Sequence, residues 1–151
     1  MTQLATLSRD DEAIRGLILA RSRALGAKDA VAVVDCATPD MVCYSLAPPL
    51  VDTGGAEGLE GWFATWDGPL GYDVREVTVV ASGDVAFAHG LAHMTGRKTE
   101  GHAVDLWFRL TLGLTRTGAG WRIAHEHHSV PFYMDGSFKA AVDLAPEGRR
   151  P

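Results

Sequence analysis

The stretch Trp121-Arg122-Ile123-Ala124-His125-Glu126-His127-His128-Ser129-Val130-Pro131 decides how the second half of this chain folds. Its aromatic and β-branched start and its closing proline read as one strand. The run holds three of the six histidines together with a carboxylate. Alternate strand residues face opposite sides. Trp121, Ile123, His125 and His127 are therefore expected on one side, and Arg122, Ala124, Glu126 and His128 on the other. A polar cluster carried by a sheet needs partners or a purpose, because polar groups buried without hydrogen bonds are costly.

Upstream, Tyr72 to Ala81, Val85 to Thr95 and His102 to Arg116 repeat the same β-rich pattern, with Ser82-Gly83-Asp84, Gly96 to Gly101 and Thr117 to Gly120 as turns. Short turns between long strands make an antiparallel meander. Before them, Ser8 and Asp11 resemble a capping box, and Ile14, Leu17, Ile18, Ala24 and Leu25 recur at helical spacing up to Gly26. Arg21 falls on that stripe and is expected to lay its stem along apolar surface with its head in water. A second helix starts at Asp29 as N-cap and runs to about Ala37, ended by Pro39. Met41 to Leu46 reads as a strand, and Pro48, Pro49, Gly54 and Gly55 as a loop. In a third helix Leu59, Trp62, Phe63 and Trp66 fall at i, i+3, i+4 and i+7 before Gly68 and Pro69 stop it. The tail from Phe132 carries about one helical turn near Phe138 to Leu144. Helices first and strands afterwards is the order of an α+β fold whose helices cover one face of a bent sheet.

With 151 residues, 46% of them apolar, the chain is read as one domain over 1–151, with a C-terminal tail from about 132. Net charge is -5 and the basic residues are scattered, so no nucleic-acid partner is expected. The first residues show no basic-then-apolar leader, and no run of eighteen apolar residues exists. The expectation is a cytoplasmic protein with no membrane partner. Cys36 and Cys43 lack Cys-x-x-Cys spacing and read as buried small hydrophobes. There is no phosphate-cradling glycine loop and no Gly-x-Ser-x-Gly elbow.

The order of helices, strand, helix and meander resembles the nuclear transport factor two-like superfamily, which includes ketosteroid isomerases, SnoaL-like polyketide cyclases and the association domain of calcium/calmodulin-dependent kinases. Phe108-Arg109-Leu110-Thr111, the glycine-bearing turn, Trp121-Arg122-Ile123, His125 to Phe132 and Ala140-Ala141-Val142-Asp143-Leu144-Ala145-Pro146 are similar to its SnoaL-like, ketosteroid-isomerase-homologue branch. The resemblance implies a curved, mostly antiparallel sheet wrapped as a cone around the N-terminal helices, in the cystatin-like manner. It also implies a central small-molecule pocket and an outer face that makes a homodimer. Arg109 and His128 match pocket-facing positions of the kinase association domain, and Ser45 matches the position of the ketosteroid isomerase aspartate. A serine there has no titrating group to shuttle a proton.

If Arg109 faces inward, the period of two brings Asp105, Trp107 and Thr111 with it and sends Phe108, Leu110 and Leu112 away. Glu126 and His128 would extend that surface. The expected catalytic set is His128 as proton-transfer group, Glu126 or Asp105 to orient it, and Arg109 to hold an enolate or carboxylate oxygen. Ser45, Trp107, Trp62 and Thr111 are the expected ligand contacts. Tyr44 alternates with Ser45 and is expected in the core, while Tyr72 could donate a phenolic hydrogen bond. His125 and His127 form a His-x-His pair that would need a third ligand from His89, His93, His102 or Glu100. No metal and no cofactor are expected. The reading is a cofactor-independent proton-transfer enzyme of isomerase, cyclase or dehydratase type acting on an apolar carbonyl or carboxylate compound. The alternative is a non-catalytic ligand-binding or dimerisation module of the same fold.

Overall fold

A computed structural model of the chain describes residues 8–147. Ser8 opens helix α1 (Arg9–Gly26), its Oγ accepting the Asp11 N–H at 3.1 Å, and Asp10, Asp11 and Glu12 occupy the first turn, where the helix end is positive. Asp29 caps α2 (Ala30–Asp35) by accepting from the Ala32 N–H at 3.1 Å. This helix stops short of the expected end, because strand β1 (Ala37–Tyr44) has already begun. Pro39 is tolerated in that strand because β1 is an edge strand whose register with its neighbour is irregular between Ala37 and Val42.

Helix α3 (Ala56–Phe63) is followed by β2 (Trp66–Ser82), β3 (Val85–Lys98), β4 (Ala103–Thr117) and β5 (Gly120–Ser129). Trp66 is thus the first residue of a strand and not the last turn of a helix. It still reaches the apolar cluster of Ala24, Leu25, Phe63 and Leu70. The sheet order is β1-β5-β4-β3-β2, with the meander antiparallel and β1 parallel to β5. The fold is α+β, with a curved, unclosed, mostly antiparallel sheet beside N-terminal helices.

Ile14 and Ile18 of α1 pack against Ala88 and Ala92 of β3, Phe108, Leu110, Leu112 and Leu114 of β4, and Trp121 and Ile123 of β5. That packing defines the covered face of the sheet. Small residues on β3 let the helix and edge strand come close. A Cβ built on Gly90 would stand 2.8 Å from the Arg75 carbonyl oxygen and 3.2 Å from Val74 Cγ1. Gly90→Ala is therefore expected to destabilise the fold by about 1–3 kcal/mol, seen as a lower urea midpoint at unchanged slope.

The tail does not form the expected helical turn. Phe132 and Ala140 bridge each other, Ala141 is buried, and Phe138 takes a left-handed φ of 53°, which no helix accommodates. Among the described residues no helix is long and apolar enough to cross a membrane.

Candidate functional site

The alternation along β5 breaks once. Gly113 pairs with His125 and Leu114 with Ile123, so Ala124 is an extra residue on β5 and the strand bulges there. The bulge reverses the side of everything beyond it. Trp121 and Ile123 share the covered face with Glu126 and His128, whose ladder partners Leu112 and Leu110 are buried. His125 and His127 are left on the outer face beside Tyr44, with ring centroids 4.8 and 5.4 Å from it. Tyr44 is 39% exposed, and so lies outside the core where the alternation had placed it.

On β4 the apolar row Phe108, Leu110, Leu112 and Leu114 takes the covered face. That row removes more apolar surface from water than the other parity offers, and it turns Asp105, Trp107, Arg109 and Thr111 outward. The expected hollow joining Asp105 and Arg109 to Glu126 and His128 therefore does not form. Arg109 pairs with Ser129 in the ladder and donates Nε–H to Ser129 Oγ at 3.0 Å, on the side of the sheet away from His128. Asp105 is 2.6 Å from His93 Nε2, and the His93 ring stacks on Trp107 at 4.2 Å with 5° between planes. Thr111 lies exposed between His89 and His127. Ser45 lies past the end of β1, its hydroxyl donating to the Ala47 carbonyl at 3.0 Å. Trp62 is half-buried on α3 against Phe63 and Trp66.

What the covered face does assemble is a charged network. Glu126, 1% exposed, accepts from Arg21 Nη2 on both carboxylate oxygens at 2.7 and 2.6 Å, and its Oε1 is 2.6 Å from His128 Nε2. Arg21 comes from α1, so its head is not in water as the helical stripe alone suggested. One signal pointed to it: Arg21 stands three residues after Ile18 and seven after Ile14, in the middle of the buried stripe. Cys43 is the ladder partner of Glu126 on β1. Phe108 places its ring 5.1 Å from His128 and 6.1 Å from Tyr72. The Tyr72 hydroxyl is buried beside Arg21 but has no hydrogen-bond partner of good geometry.

Burial alone would raise the Glu126 pKa, but the Arg21 charge and the His128 hydrogen bond more than offset it and hold the carboxyl down at about 2. Burial also works against the Arg21 charge, and Glu126 overcomes it, so the guanidinium stays protonated. Burial, reinforced by Glu126, pushes the Cys43 thiol up to about 12, which keeps it neutral and weakly nucleophilic. Burial likewise raises Tyr72. Cys43, Glu126 and His128 offer ligand atoms within 4.8 Å of one another, a spacing a metal could bridge, yet Arg21 already occupies both Glu126 oxygens and opposes a cation there.

A stability consequence follows from the lowered carboxyl. Its contribution is complete above the ordinary value of 4.5 and is lost as pH falls from there toward about 2. Urea unfolding at stepped pH is expected to show a steeper loss of stability across that window in the natural chain than in Glu126→Gln. Parallel slopes would mean that the carboxylate is not held as described.

A curved, mostly antiparallel sheet with N-terminal helices beside it is the architecture of the nuclear transport factor two-like superfamily. Within it the chain belongs to the SnoaL-like domain family, whose model matches residues 14–133. A nuclear transport factor two-like protein of unknown function from Pseudomonas putida has a similar structure, with a TM-score of 0.79, 29% identity, and coverage of 91% of this chain and 96% of that one. A ketosteroid isomerase-like protein from Erwinia carotovora atroseptica gives a TM-score of 0.69 at 24% identity, over 81% of this chain and 96% of its own. A protein with a cystatin-like fold from Novosphingobium aromaticivorans gives 0.66 at 21%, over 85% and 84%. In sequence, 81 residues (54% of the chain) are 31% identical to a phosphoglycerate kinase of Prosthecochloris aestuarii, of whose length the match spans 20%.

Proposed function

We propose that the chain binds a small apolar compound bearing a carbonyl or carboxylate at the covered face of its sheet, and that His128 moves a proton on it without a cofactor. The observation that carries this reading is the chain Arg21–Glu126–His128. Glu126, fixed by Arg21, holds His128 through Nε2, while Nδ1 has no partner among the described residues. With Nε2–H committed to the carboxylate, the Nδ1 lone pair is the free one, and an imidazole so oriented is suited to general-base work. Glu126 and Arg21 are positioning residues in this scheme. The half-buried side chains of Tyr72, Met94 and Leu106 on the same face supply apolar ground for the rest of the ligand.

The test is proton exchange at the α-carbon of phenylacetone, an apolar ketone, by the natural chain and by His128→Ala. Loss of exchange in the variant supports the reading, and equal rates overturn it. A second reading, a non-catalytic module of the same fold, draws on the near-complete burial of Glu126 and on Phe87, Val80 and Tyr44, 48%, 48% and 39% exposed on β3, β2 and β1. A homodimer through that outer face is compatible with both readings. A cytoplasmic location accords with the free thiols of Cys36 and Cys43.

A further inference from the structure

Helix α1 has a second working face. Arg15, Leu19, Ser22, Arg23 and Gly26 line up along its flank, away from Arg21, and together with the edge strand β2 they enclose a half-open groove of about 340 Å³. That volume is at the lower end of the range small-molecule sites occupy. Ile18, Leu70, Val74 and Val77 make an apolar floor, and Leu19 is 50% exposed at the rim. The groove lies at the β2 edge of the covered face and includes Tyr72, whereas His128 stands on β5, with β3 and β4 between the two strands.

The charges along this groove are unequal in a chain whose net charge is -5. Arg15 is fixed at one end, its Nε–H on Asp11 at 2.6 Å and its Nη1–H on the Val77 carbonyl at 2.9 Å. Asp73, the carboxylate in the lining, is already matched by Arg75 at 2.8 Å. The side chain of Arg23 has no hydrogen-bond or ion-pair partner among the described residues. An apolar trough ending at an unmatched guanidinium suits a molecule with a hydrocarbon body and one anionic end. We infer that the groove between α1 and β2 binds a small amphiphilic carboxylate, its head at Arg23 and its chain along Ile18, Val74 and Val77.

Decanoate is the probe, added below its micellar concentration to ¹⁵N-labelled protein and followed by amide chemical shifts. Saturable shifts concentrated at Leu19, Arg23, Val74 and Val77 are expected. Arg23→Gln should weaken binding about tenfold or more, and so should exchange of decanoate for neutral decanol, as loss of one charged contact requires. Leu19→Glu, which places a like charge at the rim, should also abolish saturation, whereas His128→Ala should change nothing. Shifts that do not saturate, that gather at Phe108 and His128 instead, or that survive Arg23→Gln at unchanged affinity would overturn the inference. Since the readout turns on Arg23 and the β2 edge, and His128 does not line the groove, its failure leaves the proton-transfer proposal to stand or fall separately.

Discussion

Arg21→Ala is expected to cost the fold about 3–5 kcal/mol, the loss typical when one partner of a buried ion pair is removed. The reason lies in what stays behind. Glu126 is 1% exposed, and without the guanidinium its carboxylate keeps only the contact to His128. Burial would then drive its pKa up through the range that the Arg21 charge now suppresses, so the carboxyl takes up a proton at a pH where it is ionised today. Because domains of this size are stable by only about 5–15 kcal/mol, the single variant loses a large fraction of the total. Arg21→Met combined with Glu126→Leu removes both charges at similar volume and should recover most of that loss, since apolar replacements of buried pairs are often neutral. Urea midpoints of the single and double variants decide the matter. A single variant as stable as the natural chain would mean that water reaches the pair, and that Glu126 is not held as the structure has it.

The elements that identified the fold were those governed by local chemistry. The Ser8 cap, the α1 stripe and the turns at Gly83 and Gly118 depend on residues within a few positions of one another, and each appears where alternation and capping rules put it, whereas β3 runs on through Gly96 to Lys98 before its turn. The site was less legible, because its geometry turns on a single inserted residue. Strict alternation through Ala124 would have set His125 and His127 beside Ile123; the bulge sets Glu126 and His128 there instead. Nothing local marks that bulge, since its cause is the pairing of two strands whose apolar rows must both face α1. The side assigned to Arg109 failed for a related reason. Its match to a pocket-facing position turned Phe108, Leu110 and Leu112 to the opposite side, whereas that apolar row, continued by Leu114, takes the covered face under α1. Arg21 was visible as an anomaly, a cation in a buried stripe, but its partner lies 105 residues away, a distance that helical periodicity cannot bridge.

His128→Ala is expected to lower α-proton exchange of phenylacetone by about 10²–10⁴-fold, the usual worth of a positioned general base. In this step the Nδ1 lone pair removes a proton from the α-carbon, the carbonyl oxygen takes up the electron pair as an enolate, and return of a solvent-derived proton completes the exchange. Arg109, on the other face, contributes nothing to it, so Arg109→Ala should exchange at the natural rate. The melting temperature separates chemistry from folding. His128 is a 15%-exposed side chain at the end of β5, and its removal leaves the bidentate Arg21–Glu126 contacts in place, so unfolding should shift far less than in Arg21→Ala. Added imidazole should restore part of the exchange in His128→Ala, which a merely distorted site would not allow. A natural chain that exchanges no faster than imidazole free in solution would remove proton transfer from this fold's repertoire here and leave the ligand-binding module. A fast natural chain with an equally fast His128→Ala would overturn the assignment of His128 as the base.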